Sequence, residues 1–237
     1  MLFASDLDNT LIHSYHTAKA GDVCVEVKDN TELSYMSPEA YSLLAEVASK
    51  CMFIPITSRS LEQYRRIDLG VKPEYAIVAH GAILLVNGQV DEEWMIETRR
   101  QISDQLPKLI ECALFFDIRY VDGFFVFAKS KCAPRAVELL QSIVDTNKFK
   151  VCAAYDKIFI FPTRLNKGEA LKRLKKRLRM ETVVCAGDSE LDVPMLTVAD
   201  AAIVPATLRL THAHQHVIDS EDFALSALSI VYERYMA

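Results

Sequence analysis

The chain has 237 residues, of which 51% are hydrophobic and 25% are charged, the composition of a folded globular protein. Its formal net charge of −5 excludes a general electrostatic attraction to nucleic acid or to an anionic membrane, so we expect neither as a partner. No run reaches the roughly 18 apolar residues that a membrane helix requires, and no cationic leader precedes the first apolar run, so a cytoplasmic location is predicted.

The first part of the chain predicts a strand, a hairpin and a helix. Residues 1–4 are apolar and lead directly into a Ser-Asp-Leu-Asp sequence, as a buried parallel strand does when its carboxyl end opens onto a site. Residues 23–28 alternate apolar and polar side chains, and a second strand-like run at 31–35 follows a turn. We therefore expect a hairpin flap within residues 12–35. A Ser-Pro pair at 37–38 then supplies the N-cap and first turn of a helix.

The following residues alternate between strand and helix, which favours a parallel sheet. A strand at 51–56 ends at Thr57-Ser58-Arg59, and the Ser-Leu-Glu-Gln sequence from Ser60 forms a capping box that begins the next helix. A strand at 75–79 comes next, and Asn87-Gly88 is the strongest short-range hairpin signal in the chain.

Beyond Trp94 the pattern becomes that of a self-contained α+β unit. The predicted elements are a helix at 97–112, strands at 113–121 and 124–128, a helix at 134–146, and strands at 150–154 and 157–161. The earlier pattern then resumes with a helix at 167–179, a strand at 182–186, a helix from about 189, a strand at 201–204 and a last helix from 221. We therefore predict a doubly wound parallel α/β core, residues 1–94 and 162–237, with an inserted αββαββ lid at residues 95–161.

Two acidic clusters follow two of the predicted buried strands. Asp6 and Asp8 flank a single residue just past the first strand, where two carboxylates repel each other unless one is protonated or a cation lies between them. Gly187 allows a sharp turn after a later strand, and Asp188 and Asp192 follow it. Carboxylate oxygens are ligands that Mg²⁺ prefers, so Asp6, Asp188 and Asp192 are the predicted metal ligands.

Hydroxyl and amino groups at two other places are suited to binding a phosphoryl group. Thr57 and Ser58 offer hydroxyl and amide donors at a strand end. Lys167 lies just after Asn166, the predicted N-cap of a helix, so its ammonium and the helix N-terminus both favour an anion. A carboxylate nucleophile that faces a phosphate needs this neutralisation. Arg59 is expected either to bind substrate or to form a surface ion pair.

Together these residues resemble the motifs of the haloacid dehalogenase-like phosphatases, in the order in which that superfamily has them. The motifs are Asp6-Leu7-Asp8-Asn9-Thr10, Thr57-Ser58, Lys167 and Gly187-Asp188-x-x-x-Asp192. The lid between the second and third motifs looks like a type C2 cap. The Asp-Leu-Asp-Asn-Thr and Thr-x-Arg sequences are most similar to the branch of sucrose-phosphate, trehalose-phosphate and mannosyl-3-phosphoglycerate phosphatases. The resemblance implies a Rossmann-like core carrying a C2-type cap.

The resemblance also implies roles for individual residues. Asp6 is the nucleophile that forms an aspartyl-phosphate, and Asp8 protonates the leaving oxygen and then activates water. Thr57 binds the transferring phosphoryl group, and Lys167 stabilises its charge. This division of labour is that of a phosphatase.

A magnesium site is implied in the same way. Asp188 holds Mg²⁺ together with the Asp6 carboxylate and the Asp8 carbonyl, and Asp192 is a ligand or an outer-shell group. The expected activity is hydrolysis of a small phosphorylated metabolite, with sugar phosphates among the candidates. The expected partner is therefore a small-molecule phosphate ester.

Two other functions stay open. A phosphomutase of the phosphomannomutase type would return the phosphoryl group to the substrate and would need a bisphosphate activator. A regulatory protein would retain the site but use the cap or a basic helix to engage a partner. Two departures bear on the substrate: the segment 12–35 is longer than expected of a C2 flap, and His80-Gly81 stands where many relatives have Asn-Gly.

Histidines are expected to lie outside the catalytic set. His212, His214 and His216 alternate ahead of the last helix without acidic neighbours, so a solvated loop is favoured over a transition-metal site. His13 and His16 lie in the flap, where they either contact substrate or are exposed.

The remaining basic and cysteine side chains have simple expectations. The basic run at 172–179 is predicted to be the solvated face of a helix with a leucine core stripe, rather than a nucleic-acid site. Without a CxxC spacing, the cysteines are expected to be buried, reduced thiols. Four cap residues are expected to recognise an anionic leaving group or to be ordinary surface charge, and these are Arg119, Lys129, Lys131 and Lys157.

Overall fold

The computed structural model describes residues 1–105, 118–130, 132–154 and 157–236. Its strands are β1 (Leu2–Ser5), β2 (His13–Ser14), β3 (Val23–Lys28), β4 (Thr31–Met36), β5 (Met52–Pro55), β6 (Tyr75–Val78), β7 (Ile83–Val86), β8 (Gln89–Val90), β9 (Ile118–Val121), β10 (Phe125–Lys129), β11 (Phe149–Ala154), β12 (Lys157–Pro162), β13 (Val183–Ala186), β14 (Ala201–Pro205) and β15 (Gln215–Ile218). Its helices are α1 (Pro38–Lys50), α2 (Leu61–Tyr64), α3 (Glu92–Gln101), α4 (Ala133–Ile143), α5 (Lys167–Leu178), α6 (Val193–Val198) and α7 (Phe223–Tyr235), with a 3₁₀ turn at Ala79–Gly81.

A five-stranded parallel sheet forms the centre of the core, in the order β15-β14-β13-β1-β5. Alternate residues of β1 pack on opposite faces of this sheet. Phe3 belongs to the apolar cluster that includes residues of α1 and α7, whereas Leu2 and Ala4 belong to the cluster that includes residues of α5 and α6. Because helices cover both faces, the first three residues of the strand, Leu2 to Ala4, are all apolar. The carboxyl ends of β1, β5 and β13 therefore meet at one edge, where ligands bind in such sheets.

The doubly wound α/β core with an antiparallel cap is confirmed, but two of its helices begin at residues well away from the predicted ones. The helix expected from about 189 begins as α6 at Val193, because the preceding residues turn around the side chain of Asp192. Helix α3 begins at Glu92 rather than 97, because Asp91 caps it through the Trp94 amide. The predicted boundary between core and cap at 94/95 therefore falls inside α3 and stays a prediction. The predicted helix beyond residue 105 and strand before residue 118 lie outside the described residues.

The last strand of the parallel sheet was missed. The segment with three alternating histidines was expected to be a loop, yet β15 pairs with β14 at the sheet edge and contains His216. His216 bonds the Tyr235 hydroxyl through Nε2 at 2.8 Å, and His212 Nε2 lies 3.0 Å from the Ala199 carbonyl oxygen. These histidines have structural partners at the sheet edge.

The predicted flap hairpin is present as β3 and β4, with β2 beside β4. Strict alternation would place Val25 on one face and Glu26 on the other. The β3–β4 register shifts on both sides of Glu26, and as a result Val25 and Glu26 are both buried while Val27 is 48% exposed. A bulge of this kind re-aims a side chain. Here it turns a carboxylate inward.

The cap contains an antiparallel sheet in the order β11-β12-β10-β9. One face packs its apolar residues against α4, as Val126 and Ile160 do with Leu140. The opposite face packs Phe125 and Phe161 into the cluster that includes the 3₁₀ turn of the core. The cap sheet therefore lies over the same end of the core as the strand-end motifs.

Three sequence expectations concern the cysteines, membrane-spanning helices and the basic helix. Of the five described cysteines, all free thiols, Cys185 is buried whereas Cys132 is exposed, so the expectation of uniformly buried thiols was wrong. Within the described parts of the chain, no helix has the length and apolar character to cross a bilayer. The leucine stripe is present in α5, where Leu171 and Leu174 are fully buried.

Candidate active site

The first acidic motif lies where β1 ends. Asp6 follows the strand directly, and its amide donates to the Ala186 carbonyl at 3.0 Å, which ties it to the end of β13. Only 6% of Asp6 is exposed. Asn9, with a φ of 57°, turns the chain after the motif, and the Asn9 amide donates to the Ile12 carbonyl. Asp6 and Asp8 are thus held on a tight loop at the sheet edge.

A buried lysine joins the two acidic clusters. Lys167, 1% exposed, donates from Nζ to Asp6 Oδ1 and to Asp192 Oδ1, each at 2.6 Å. It is the first residue of α5, whose N-cap Asn166 accepts from the Glu169 amide, as predicted. A buried ammonium needs paired charges, and the two aspartates supply them.

The carboxylate of Asp192 accepts four hydrogen bonds. Its Oδ2 accepts from the amides of Asp188 and Ser189 and from the Ser189 hydroxyl, while Oδ1 accepts from Lys167. Three of the four donors thus bind Oδ2, and Lys167 binds Oδ1. Gly187 permits this packing, because a Cβ at that position would lie 2.5 Å from the Asp192 Cβ. Asp192 therefore shapes the loop that presents Asp188.

The three acidic groups carry more negative charge than the lysine balances. Burial raises the pKa of Asp6 well above its ordinary value, and repulsion from Asp192 adds to this effect although Lys167 opposes it. Burial, with repulsion from Asp192, raises the pKa of Asp188 to about 7. Burial alone would lower the pKa of Lys167, but the charges of Asp192 and Asp6 outweigh it and raise the pKa.

The excess of three carboxylates over one ammonium bears directly on the predicted metal site. Asp6, Asp188 and Asp192 each place one carboxylate oxygen within 4.8 Å of the others. One ammonium cannot neutralise three carboxylates, and an all-oxygen donor set suits a hard divalent cation. Thr10 donates its hydroxyl to Asp188 Oδ1 at 3.1 Å, which orients that carboxylate. The residues therefore fit Mg²⁺.

Asp8 has a different partner from Asp6. The guanidinium of Arg59 donates from Nε to Asp8 Oδ2 at 2.8 Å and from Nη2 to Asp8 Oδ1 at 2.7 Å. Burial alone would raise the pKa of Asp8, but the hydrogen bonds and charge of Arg59 outweigh it and lower the pKa. The structure thus pairs Arg59 with Asp8, whereas the sequence left open a substrate contact or a surface ion pair.

The same arginine reaches the flap. Arg59 Nη1 donates to Glu26 Oε2 at 2.6 Å, and Arg66 donates to Glu26 Oε1 at 3.1 Å. The Ser34 hydroxyl donates to Glu26 Oε2 at 2.7 Å. This Arg59 network, consisting of Asp8, Arg59, Glu26, Arg66 and Ser34, joins the first motif to the flap. Sequence reasoning missed its last three members, because only the bulge in β3 turns Glu26 inward.

The second motif brings Thr57 and Ser58 beside the first. The Thr57 side chain is fully buried, and its Oγ1 accepts from the Arg59 amide at 3.1 Å. Ser58 Oγ lies 2.9 Å from His80 Nδ1. His80 adopts a φ of 60° in the 3₁₀ turn and stacks on the Phe161 ring of the cap at 3.8 Å. Burial, together with the charges of Lys167 and Lys150, lowers the pKa of His80 well below its ordinary value, so this histidine is neutral.

The flap histidines do not reach this constellation. His13 Nε2 lies 2.8 Å from Asp22 Oδ2, and His16 stacks against Tyr15 with 3.9 Å between ring centroids. Both contacts lie within the flap and its adjoining loop. The structure therefore brings together Asp6, Asp188, Asp192 and Lys167, with Asp8 and Arg59 alongside.

Comparisons with known proteins agree with this architecture. The phosphoglycolate phosphatase of Sulfurisphaera tokodaii is 26% identical over 204 residues, which are 83% of this chain and 84% of that protein. The sucrose-phosphatase structure from Synechocystis sp. PCC6803, in complex with sucrose and phosphate, is 17% identical with a TM-score of 0.69, covering 98% of this chain and 97% of that one. A haloacid dehalogenase-like hydrolase from B. subtilis has a TM-score of 0.64 at 15% identity, covering 98% and 99% of the two chains.

The fold and these relatives define a haloacid dehalogenase-like phosphatase, a phosphoric monoester hydrolase. The family model of sucrose-6F-phosphate phosphohydrolase matches residues 1–222. With that match spanning nearly the whole sequence, the chain belongs to the sucrose-6F-phosphate phosphohydrolase family.

Proposed function

We propose that this protein is a Mg²⁺-dependent phosphatase that hydrolyses a small phosphorylated metabolite through an aspartyl-phosphate on Asp6. The observation that carries the proposal is the buried Asp6 carboxylate, bound by Lys167 through Oδ1 alone among the described contacts. Its Oδ2 is thereby left for attack on phosphorus. A desolvated carboxylate fixed by a lysine is preorganised as a nucleophile.

In the first half-reaction, Asp6 Oδ2 forms a bond to phosphorus while the ester P–O bond breaks. The electron pair of that bond leaves with the alcohol oxygen, which receives a proton from Asp8. Because Asp8 is ionised at rest beside Arg59, it takes up this proton from solvent before the bond breaks. Lys167 and the hydroxyl of Thr57 offset the negative charge on the transferring group. The products of this step are the free alcohol and the phosphorylated Asp6.

In the second half-reaction, the ionised Asp8 takes a proton from water while the water oxygen bonds to phosphorus. The bond between phosphorus and Asp6 then breaks, which releases inorganic phosphate and restores the carboxylate. One residue thus acts first as acid and then as base. The overall change is one ester and one water converted to one alcohol and one phosphate.

The carboxylates of Asp6 and Asp188, with the main-chain carbonyl of Asp8, are the groups that would hold Mg²⁺. When bound, a divalent cation neutralises phosphoryl oxygens and helps to orient them. We assign Asp192 to orienting Asp188 and Lys167 rather than to direct ligation, because its four hydrogen bonds come from Lys167, Asp188 and Ser189. Of Asp188 and Asp192, Asp188 is the carboxylate that accepts fewer hydrogen bonds from the protein.

Arg59 is assigned to positioning Asp8 rather than to binding substrate. Its bidentate contact fixes the plane of the Asp8 carboxylate, and its third side-chain nitrogen is held by buried Glu26. Fork-shaped pairing of this kind carries geometric specificity. Ser58 is assigned to the phosphoryl pocket through its amide, since its hydroxyl is shared with His80.

The relatives frame the choice of substrate. The names of the two relatives describe action on phosphoglycolate, whose leaving alcohol is an acid anion, and on sucrose phosphate, whose leaving alcohol is a neutral sugar. A small phosphate ester in the cytoplasm is the proposed substrate, and free thiols in the described chain suit a reducing compartment. Sugar phosphates and phosphorylated hydroxy acids are therefore both candidate substrates.

The test is phosphate release from p-nitrophenyl phosphate and from a panel of metabolite esters, with Mg²⁺ or with EDTA. We expect release that requires Mg²⁺ and that falls to background in Asp6→Asn, because an amide is a poor nucleophile. The matched control is Asp219→Asn, which changes an exposed aspartate of the α/β core domain and should retain wild-type activity. Release that survives in Asp6→Asn would refute the assignment.

A further inference from the structure

One face of the cap sheet carries a row of basic side chains toward the site. We define this basic cap face by Arg119, Lys129, Lys150 and Lys157, all of which are exposed. Side chains directly opposite in an antiparallel sheet share a face, and every second residue along a strand does so too. The strand register therefore decides which face these four residues occupy.

The register places them together with the aromatic residues that contact the core. Lys129 lies opposite Lys157. Lys150 lies opposite Phe161, the ring that stacks on His80. Arg119 lies opposite Phe127, which in turn lies opposite Phe159. The basic side chains and these rings therefore share the face of the sheet that is turned toward the core.

An electrostatic effect on a core residue agrees with this orientation. The charge of Lys150 contributes to the lowered pKa of His80, after burial and Lys167. Lys150 thus lies close enough to act on a group at the catalytic edge, and Lys157 projects from the same face of the sheet. They project from strands of the cap rather than from the core that would bind the phosphoryl group.

The composition of this face favours an anion over a neutral sugar. Its described positions on β9 to β12 hold basic, aromatic and aliphatic side chains and Cys152, and none of them is Asp, Glu, Asn, Gln, Ser or Thr. Sugar hydroxyls are usually bound by such acceptors and amides. The charges of Lys150 and Lys157 on such a face instead favour a carboxylate.

We propose that the basic cap face is a subsite for a carboxylate on the leaving alcohol, so that the substrates are phosphate monoesters of small hydroxy acids. The inference rests on the proposed function, since it names the substrate class of the same site. The carboxylate takes no part in bond breaking and stays on the alcohol that leaves. Lys150 and Lys157 supply the positive potential that favours it.

The experiment compares esters that differ only in this group. One pair is 2-phosphoglycolate and 2-hydroxyethyl phosphate, and the other is 3-phosphoglycerate and glycerol 3-phosphate; in each, –CH₂OH replaces –COO⁻. We expect the wild-type kcat/KM to favour the acid in at least one pair by roughly tenfold or more, the size of one charge-assisted hydrogen bond. The single variants Lys150→Met and Lys157→Met should each reduce that preference several-fold, and Lys157→Arg should retain it.

The control variant is Lys176→Met, which removes one charge from an exposed position of α5 nine residues after Lys167 and should leave the preference unchanged. The preference is the ratio of two kcat/KM values measured on the same protein. A smaller folded fraction lowers both values equally and therefore leaves the ratio unchanged. If neither pair favours the acid, or if both lysine variants keep the wild-type ratio, the subsite is refuted. Hydrolysis of p-nitrophenyl phosphate that depends on Asp6 would then still stand, which separates this failure from failure of the proposed function.

Discussion

At the scale of single residues, the two aspartates of the first motif differ through their partners. Asp6 and Asp192 both accept hydrogen bonds from the buried Lys167, whereas Asp8 accepts two hydrogen bonds from the guanidinium of Arg59. The two carboxyl pKa values shift in opposite directions, upward for Asp6 and downward for Asp8. The lowered pKa of Asp8 suits the base role proposed for it in the second half-reaction. Arg59 is therefore as much part of the motif's chemistry as the aspartate that it holds.

A prediction for Arg59 follows from this contact. In Arg59→Ala the Asp8 carboxyl loses its orientation, so the step that protonates the leaving oxygen should suffer most. We expect kcat/KM to fall by about 10²-fold for 2-hydroxyethyl phosphate but by about tenfold or less for p-nitrophenyl phosphate, whose phenolate leaves without a proton. The measurement is kcat/KM for both esters, since it covers the steps through loss of the alcohol.

The control for this prediction is Arg66→Ala, which removes a partner of Glu26 without touching Asp8. It should change both esters equally. Equal losses for the two esters in Arg59→Ala would instead assign the arginine a purely structural role.

At the scale of elements, the bulge in β3 is what gives the flap a connection to the site. It turns Glu26 into the interior, where the carboxylate accepts from Arg59, Arg66 and Ser34. The flap is thereby tied to the loop after β5 by buried charge as well as by apolar packing. Removing one member of such a set leaves uncompensated charge behind.

We expect Glu26→Ala to lower the free energy of unfolding by about 3–5 kcal/mol, because two arginines lose a buried partner. Glu62→Ala is a matched control, since Glu62 also pairs with Arg66 but is 83% exposed in its side chain. That variant should cost about 0–1 kcal/mol. Urea unfolding at neutral pH measures both, and similar losses would contradict the importance of the buried network.

At the scale of the whole molecule, His80 contacts both the core and the cap. It accepts or donates a hydrogen bond with Ser58 of the core and stacks on Phe161 of the cap sheet. Its burial is nearly complete, and its neutral state is the one that fits this position. A second contact across the same boundary is the Leu61 amide, which donates to Asp122 in the β9–β10 turn at 2.8 Å.

The lowered pKa of His80 predicts a pH dependence of stability. Because its folded pKa lies below the unfolded value of about 6.5, the unfolded chain binds a proton first as the pH falls. Stability should therefore be complete above about pH 6.5 and should be lost below it, by up to about 1.4 kcal/mol per pH unit from this group. Urea unfolding at pH 7.5, 6.5 and 5.5 measures the slope.

His80→Asn should flatten this slope, because the variant has no titrating ring. His214→Asn, which changes an exposed histidine, should keep the wild-type slope. Identical slopes in wild type and His80→Asn would show that another group controls the acid sensitivity.

Much of the fold and the candidate site follows from local sequence. A strand buried on both faces must be apolar throughout, so β1, β5 and β13 are visible as short apolar runs. Caps such as Ser37 and Ser60 act within three residues and are equally visible. Since parallel strands end at one edge, the motifs that follow them had to meet. That Asp6, Lys167 and Asp188 lie together was thus predictable from their order and spacing.

Other features depend on contacts between distant segments and were decided only by the tertiary structure. Arg59 meets Asp8 across 51 residues and Glu26 across 33, and nothing local to any of them indicates the pairing. The inward orientation of Glu26 depends on a register shift against β4. The hydrogen bond that Asp192 Oδ1 accepts depends on the position of Lys167, which is distant in sequence. The direction in which the cap lysines point is likewise a property of sheet register and docking. The sequence by itself determined the reaction class, because its motifs are local, whereas the partners that orient each group were decided by packing at long range.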